Sequence, residues 1–235
     1  MKIYALMTKG AEKSISQDSV LVGNNILSEG YLEYTVAEGE SVVVAVADGV
    51  GGNKAGEVAS FLAVNGIRNG KLFLHATVES VRKLIQNTNQ NILTISANNM
   101  NMNNMATTLT GICIAPQQQI AFHIGNTRLC RRNGIYLQPL TTAHEDMQGR
   151  LTNCMGIKPD LLSGLQVWDA SAEIKPGQDL ILTTDGIHDH IADDEMDDIL
   201  QGTDNIRDIL LAIEDKAREN GSMDDISIVW VSKKE

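Results

Sequence analysis

Apolar residues in this chain gather in short dense runs, separated by longer stretches where they return every third or fourth position. The dense runs, at 2–7, 19–23, 42–47, 108–115, 119–124, 129–132, 180–183 and 226–231, are often β-branched and predict strands. Asn133-Gly134, inside RRNGIY, is a hairpin signal. Helical spacing marks 54–68, which follows the N-cap candidate Asn53, together with 75–97 and 206–220. In the last of these, Ile206, Ile209, Leu210, Ile213 and Ala217 share a face. The Asn-rich stretch 86–106 carries Ile92 and Ile95 on the spacing begun by Val78, Val81 and Ile85, so it reads as a helix end running into a polar loop. Strands come in consecutive runs between helices rather than in strict alternation. That order predicts an α+β fold with antiparallel sheets and segregated helices, not a Rossmann-type fold.

Composition narrows the class. With 235 residues, 43% of them hydrophobic, four prolines and no linker-like tract, the chain predicts one domain over 1–235 without internal repeats. A net charge of −11, no Lys/Arg cluster and 4% aromatic residues argue against nucleic acid as a partner. The apolar runs are far too short to span a membrane, and the opening residues lack a signal-peptide pattern. Cys113, Cys130 and Cys154 are odd in number and lack CxxC spacing, which suits buried thiols in a reducing compartment. The expectation is a soluble, cytoplasmic monomer.

Four aspartates change the picture. Asp48 closes VVVAVAD and precedes Gly49, and Asp185 closes LILTTD and precedes Gly186. Asp18 and Asp224 stand just before SVLVG and ISIVWV. In antiparallel sheets these strand ends share an edge, so the four carboxylates converge. Taken singly, each is an ordinary turn or loop residue. Together they would repel, and a hard divalent cation such as Mg²⁺ or Mn²⁺ removes the conflict. Gly49 lacks a Cβ, so its carbonyl has a close approach to such an ion.

VADGVGGNKAGEVAS, SQDSV, MATTLTGICI, HIGNTRLCRR, LTTDGIHDHIADDEM and GSMDDISIVWV extend along nearly the whole chain. Together they resemble the motifs of a known family, the metal-dependent Ser/Thr protein phosphatases of type 2C in their compact bacterial form. The resemblance implies a four-layer αββα sandwich of two antiparallel sheets flanked by helix pairs, with two Mn²⁺ or Mg²⁺ ions at one end. Asp48 would bridge both ions, the Gly49 carbonyl would bind one, and Asp185 and Asp224 the other. Asp18 would act through metal-bound water. Catalysis would rest on Asp48, Asp185 and Asp224 without a phosphoenzyme, and the partners would be phosphorylated proteins, opposing a Ser/Thr kinase.

Several positions depart from the family pattern. Lys13, in GAEKSISQD, stands where the family has an Arg that grips phosphate, so the planar fork is lost. Asn126 stands where an Asp is associated with a third metal, which puts that third ion in doubt. Asp225 occupies an Asn position and is given no ligand role. His188 and His190 are read as exposed loop residues rather than proton donors, and His144-Glu145-Asp146 as a polar remnant. Only a short stretch separates His144 from Gly156, which predicts a shortened flap near 144–156 and an open cleft. A phosphatase is the leading reading. The alternatives are a degenerate phosphatase acting as a phosphoprotein-binding or scaffold module, and a hydrolase of small phosphate esters or nucleotides.

Overall fold

The computed structural model describes the chain apart from residues 51–54, 73–75, 162, 176 and 234–235. It opens with five strands, β1 (Lys2–Thr8), β2 (Asp18–Val22), β3 (Asn25–Leu27), β4 (Gly30–Thr35) and β5 (Val42–Asp48), followed by helices α1 (Gly56–Asn69) and α2 (Val78–Asn98). Strands β6 (Leu109–Ile114), β7 (Gln119–Ile124), β8 (Arg128–Asn133), β9 (Tyr136–Pro139), β10 (Gln166–Asp169) and β11 (Leu180–Thr183) come next. The short helix α3 (Asp185–His188), α4 (Asp193–Gly202), α5 (Ile206–Glu219) and strand β12 (Ile226–Ser232) complete it.

The strands form two six-stranded sheets, ordered β4-β1-β12-β11-β8-β9 and β10-β7-β6-β5-β2-β3. Alternation within β5 shows how they stack. Val42, Val44 and Val46 face the other sheet, where they meet Ile3, Leu129, Leu182 and Val229. Val43, Ala45 and Ala47 face outward onto Ala59, Ala63 and Ile67 of α1 and Val81, Ile85 and Ile92 of α2. On the far side, Ile181, Ile228 and Trp230 pack against Met196 and Leu200 of α4 and Ile209, Leu210 and Ile213 of α5. Strands buried on both faces read as unbroken apolar runs, which explains VVVAVA. Each fully buried Val, Leu or Ile contributes about 1.5–3 kcal/mol. The expected αββα sandwich is therefore the observed one.

Local starts and stops refine the sequence reading. Helix α2 begins at Val78, because Thr77 caps it: the Thr77 side chain accepts from Ser80 N at 3.1 Å while Ser80 Oγ accepts from Thr77 N at 2.8 Å. Helix α1 starts at Gly56 behind Ala55, whose φ of 59° is left-handed. Asn53 and Lys54, and His75, the first residue expected in α2, lie outside the described residues. The hairpin between β8 and β9 pairs Asn133 with Tyr136, so its central residues are Gly134 and Ile135, with φ +67° at Gly134. The turn sits one residue later than the Asn-Gly signal alone implies. Strands β3, β4, β9 and β10 and helices α3 and α4 go beyond the predicted elements.

Candidate functional site

The antiparallel register of β2 and β5 sets Asp18 directly across from Asp48 at one end of the second sheet. The backbone of Asp48 is fixed there, its N–H donating to Thr108 Oγ1 and its carbonyl accepting from Thr108 N and Thr107 Oγ1, each at 2.9 Å. In the first sheet, β11 and β12 pair so that Asp185, just after β11, and Asp224, just before β12, reach the same rim. Thr184 Oγ1 and Ser227 Oγ, from this first sheet, donate to Asp18 Oδ2 at 3.0 and 2.6 Å. Asp18 is thereby held between the sheets.

Electrostatics reports the convergence. Burial pushes the Asp18 carboxyl up to about 7, against the opposing pull of the Ser227 and Thr184 hydroxyls. Asp48 is held well above the usual carboxylate range by burial first, then by the charges of Asp18, Asp185 and Asp224. Asp185 is raised too, by burial and then by Asp224, while hydrogen bonds to Asn126 and Asp48 act the other way. Four acids drawn from both sheets thus share one rim, three of them with carboxyls raised by burial and Asp224 half-exposed. Their hard oxygen donors suit a divalent cation. As the side chains stand, no three His, Cys, Asp or Glu among the described residues are spaced to hold one. Asp224 is turned aside: its Oδ1 accepts from Lys13 Nζ, which also donates to Asp225 Oδ2 at 2.8 Å.

The glycine after Asp48 has a packing reason besides the expected carbonyl access. Gly49 N donates to Gln17 O at 3.0 Å, and a Cβ there would run into the Gly56 carbonyl and lie 2.8 Å from Gln17 O. The start of α1 therefore rests directly on the site.

Asn126 sits at the next corner. Its Nδ2 donates to Asp185 Oδ2 at 3.1 Å and to Glu145 Oε1 at 2.9 Å, while its buried Oδ1 has no hydrogen-bond partner. Through Glu145 it fastens the 144–156 segment, a small hairpin in which Asp146 and Arg150 pair and Thr152 N donates to His144 O at 2.8 Å. His144 Nδ1 accepts from Gly125 N at 3.0 Å, which ties the hairpin to the turn after β7.

Two readings need revision. His188 is not an exposed loop residue: its imidazole is 7% exposed, faces Thr183 Oγ1 at 3.1 Å, and is pushed down to about 3 by burial. It is neutral and enclosed because α3 turns it back onto the outer face of β11. His190 is half-buried as well. The thiols of Cys113 and Cys130 are buried as expected and pushed up to about 12, so they are poor nucleophiles.

Sequence reasoning missed the ties that hold the rim. Asp225 accepts from Gly10 N and Gln17 N, both at 2.8 Å. Arg218 of α5 laces the same loop, donating to the carbonyls of Asp224, Ser222 and Lys9 at 2.6, 3.0 and 3.0 Å. Asp225 was visible as the neighbour of Asp224, but its burial depends on cross-sheet packing that no local pattern encodes.

Known proteins place this architecture. A family model described as protein phosphatase 2C matches residues 22–221, so Lys13, Asp18, Asp224 and Asp225 lie beyond its ends. The chain is 28% identical over 212 residues to the serine/threonine phosphatase Stp of Listeria welshimeri, covering 81% of this chain and 84% of that protein. It is 24% identical to the protein phosphatase PhpP of Streptococcus pneumoniae, over 100% and 98% of the two chains. Among solved structures, serine/threonine phosphatase Stp1 from Staphylococcus aureus superposes with TM-score 0.81 at 17% identity, over 99% and 95% of the chains. The Mycobacterium tuberculosis serine/threonine phosphatase PstP/Ppp does so with TM-score 0.79 at 19% identity, over 100% of both. With the family model covering most of its length, this chain belongs to the protein phosphatase 2C family.

Proposed function

We propose that this protein removes phosphate from phosphoserine and phosphothreonine in proteins, with two Mn²⁺ or Mg²⁺ ions held by Asp48, the Gly49 carbonyl, Asp185 and Asp224. The observation that carries the reading is the meeting of Asp18, Asp48, Asp185 and Asp224 from both sheets at one rim, where each of the first three is raised by burial and by its neighbours. When bound, such ions neutralise phosphoryl oxygens and make a water acidic enough to attack at neutral pH. The chain supplies the rest. Asp48, whose backbone is pinned by Thr107 and Thr108, would hold the ions through its carboxylate. Asp18, anchored by Ser227 and Thr184, orders solvent behind it. Lys13 draws the substrate phosphate to the rim as a single-point cation, without the two-pronged grip of an Arg.

No side chain here is assigned as proton donor to the leaving alcohol. His188 is neutral and enclosed, and its ring is taken up by Thr183. Asn126 offers a neutral amide oxygen where the family has a carboxylate, a poorer ligand for a hard cation, and its N–H₂ group is held by Asp185 and Glu145, so a third ion is disfavoured. A flap reduced to a short hairpin at 144–156 would leave the rim open, which favours loose selection among phosphopeptides. This reading takes the whole chain, 1–235, as one catalytic domain working as a cytoplasmic monomer opposite a Ser/Thr kinase; no helix among the described residues is long and apolar enough to cross a membrane.

The test is hydrolysis of a phosphothreonine peptide with added Mn²⁺. Activity is expected to vanish in EDTA and to fall about a hundred- to a thousandfold in Asp48→Ala and Asp185→Ala, the scale on which an electrostatic stabiliser of a transition state is lost. Turnover that survives chelation would refute the assignment. Tight Mn²⁺ binding by calorimetry without phosphate release would instead identify a binding module, and preference for nucleotides or small esters would identify a different hydrolase.

A further inference from the structure

The Lys13 ammonium has one fixed partner and one exchangeable partner. The Asp225 side chain is 1% exposed and its carboxylate collects three donors: Gly10 N on Oδ1, and Gln17 N and Lys13 Nζ on Oδ2, all at 2.8 Å. The two amides come from opposite ends of the loop that joins β1 to β2, and Lys13 sits between them with its own N–H on Gly10 O. The loop cannot easily shift at its start, because even a Cβ on Gly10 would lie 2.5 Å from Met223 O. Asp224, the second partner, has a side chain 48% exposed and open to other company.

A carboxylate buried this deeply needs a counter-charge, since an uncompensated buried ion costs several kcal/mol. Lys13 provides it, and Asp225 in turn fixes where the ammonium sits. An ammonium has three N–H donors. Asp225 and Asp224 occupy two, which leaves one for an incoming oxygen. An Asn at 225 would offer a single acceptor oxygen to a site that three donors share, and would set an N–H₂ group against at least one of them.

We propose that Asp225 is a positioning residue: it tethers the Lys13 ammonium at the carboxylate rim, so that this cation takes a phosphoryl oxygen of the substrate. The inference rests on Lys13 being a phosphate ligand. It makes positions 13 and 225 one functional unit, in which a flexible lysine gains the fixed placement that an arginine fork would otherwise bring.

Phosphothreonine-peptide kinetics with Mn²⁺ on wild type, Lys13→Gln, Asp225→Asn and the double variant test it. Each single change is expected to raise KM about tenfold, the scale of one charge-assisted hydrogen bond, and to raise KM more than it lowers kcat. The double variant should be no worse than the worse single one. Additive KM losses overturn the tether. An unchanged KM in Lys13→Gln overturns the phosphate role of Lys13 itself. A raised KM there with an unchanged KM in Asp225→Asn overturns the tether alone. A measurement on the metal-free wild type stands apart from whether Asp225→Asn folds. In ¹⁵N-labelled protein the Lys13 ammonium, assigned by its absence in Lys13→Gln, should exchange slowly with solvent. Exchange as fast as that of exposed lysines overturns the proposal.

Discussion

His123 is held between Thr110 and Thr142: its Nε2–H donates to Thr142 O at 3.0 Å, so its Nδ1 accepts from Thr110 Oγ1 at 2.7 Å. Burial, with a smaller contribution from His144 nearby, pushes it from 6.5 down to about 4. In the unfolded chain it would take a proton below about 6.5, while the folded site refuses it until about 4. Stability is therefore intact above that upper value and falls with pH across the window, by up to about 3 kcal/mol at one pKa unit per 1.36 kcal/mol. Urea denaturation of wild type and His123→Gln between pH 7.5 and 4.5 checks this. The variant should show the shallower fall. Equal slopes would show that His123 is not a source of acid sensitivity. None of this is visible in the AFHIG stretch, where His123 reads as one polar residue in an apolar strand.

At the scale of elements, the contact between the end of β5 and the start of α1 is the most constrained joint. Gly49→Ala would drive a methyl group into the Gly56 carbonyl, and no flexible side chain is there to yield. Overpacking of this kind costs about 1–3 kcal/mol. The forced shift falls on Asp48, so kcat should drop more than the stability loss accounts for. Urea midpoints and Mn²⁺-dependent turnover on the same preparation measure both, and a fully active, equally stable Gly49→Ala would sink the packing argument. The joint also shows what the sequence could reveal. The Asp-Gly pair after an apolar strand was legible as a special position, but the pressure that α1 puts on Gly49 was not. Long buried strands and the amphipathic face of α5 were legible because their periodicity is strong. Strands β3, β4, β9 and β10 were not, since β3, β9 and β10 are short and β4 has no buried residue, and helix α4 hides its two buried anchors, Met196 and Leu200, among acidic residues. Asp18, Asp48, Asp185 and Asp224 could be picked from strand ends alone. Thr184, Ser227 and Asp225 could not, because their roles arise only when two sheets close on each other.

Across the whole molecule, the rim is a place where the fold works against itself. Asp48 has its folded carboxyl raised by burial and by three acidic neighbours, so its contribution to stability is present below the unfolded value of 3.8 and is lost as pH rises toward the raised one. At pH 7.5 without metal, well above the unfolded value, folding carries the cost of placing Asp48 among its acidic neighbours, whether as repulsion or as a proton taken up. Asp48→Asn removes one of the clashing charges at nearly constant volume. Its metal-free melting temperature is therefore expected to exceed that of wild type, by about 2–4 °C for each kcal/mol relieved in a chain of this size. Added Mn²⁺ should reverse the order. Wild type gains from ligand binding to its folded state alone, by about 2.7 kcal/mol at a hundred times the dissociation constant, while the variant, short of its bridging oxygen, gains little. Thermal melts in EDTA and in Mn²⁺ for both proteins complete the comparison. If the variant melts lower without metal, or if Mn²⁺ raises both equally, the acids at this rim are not held together against their repulsion for the sake of a cation.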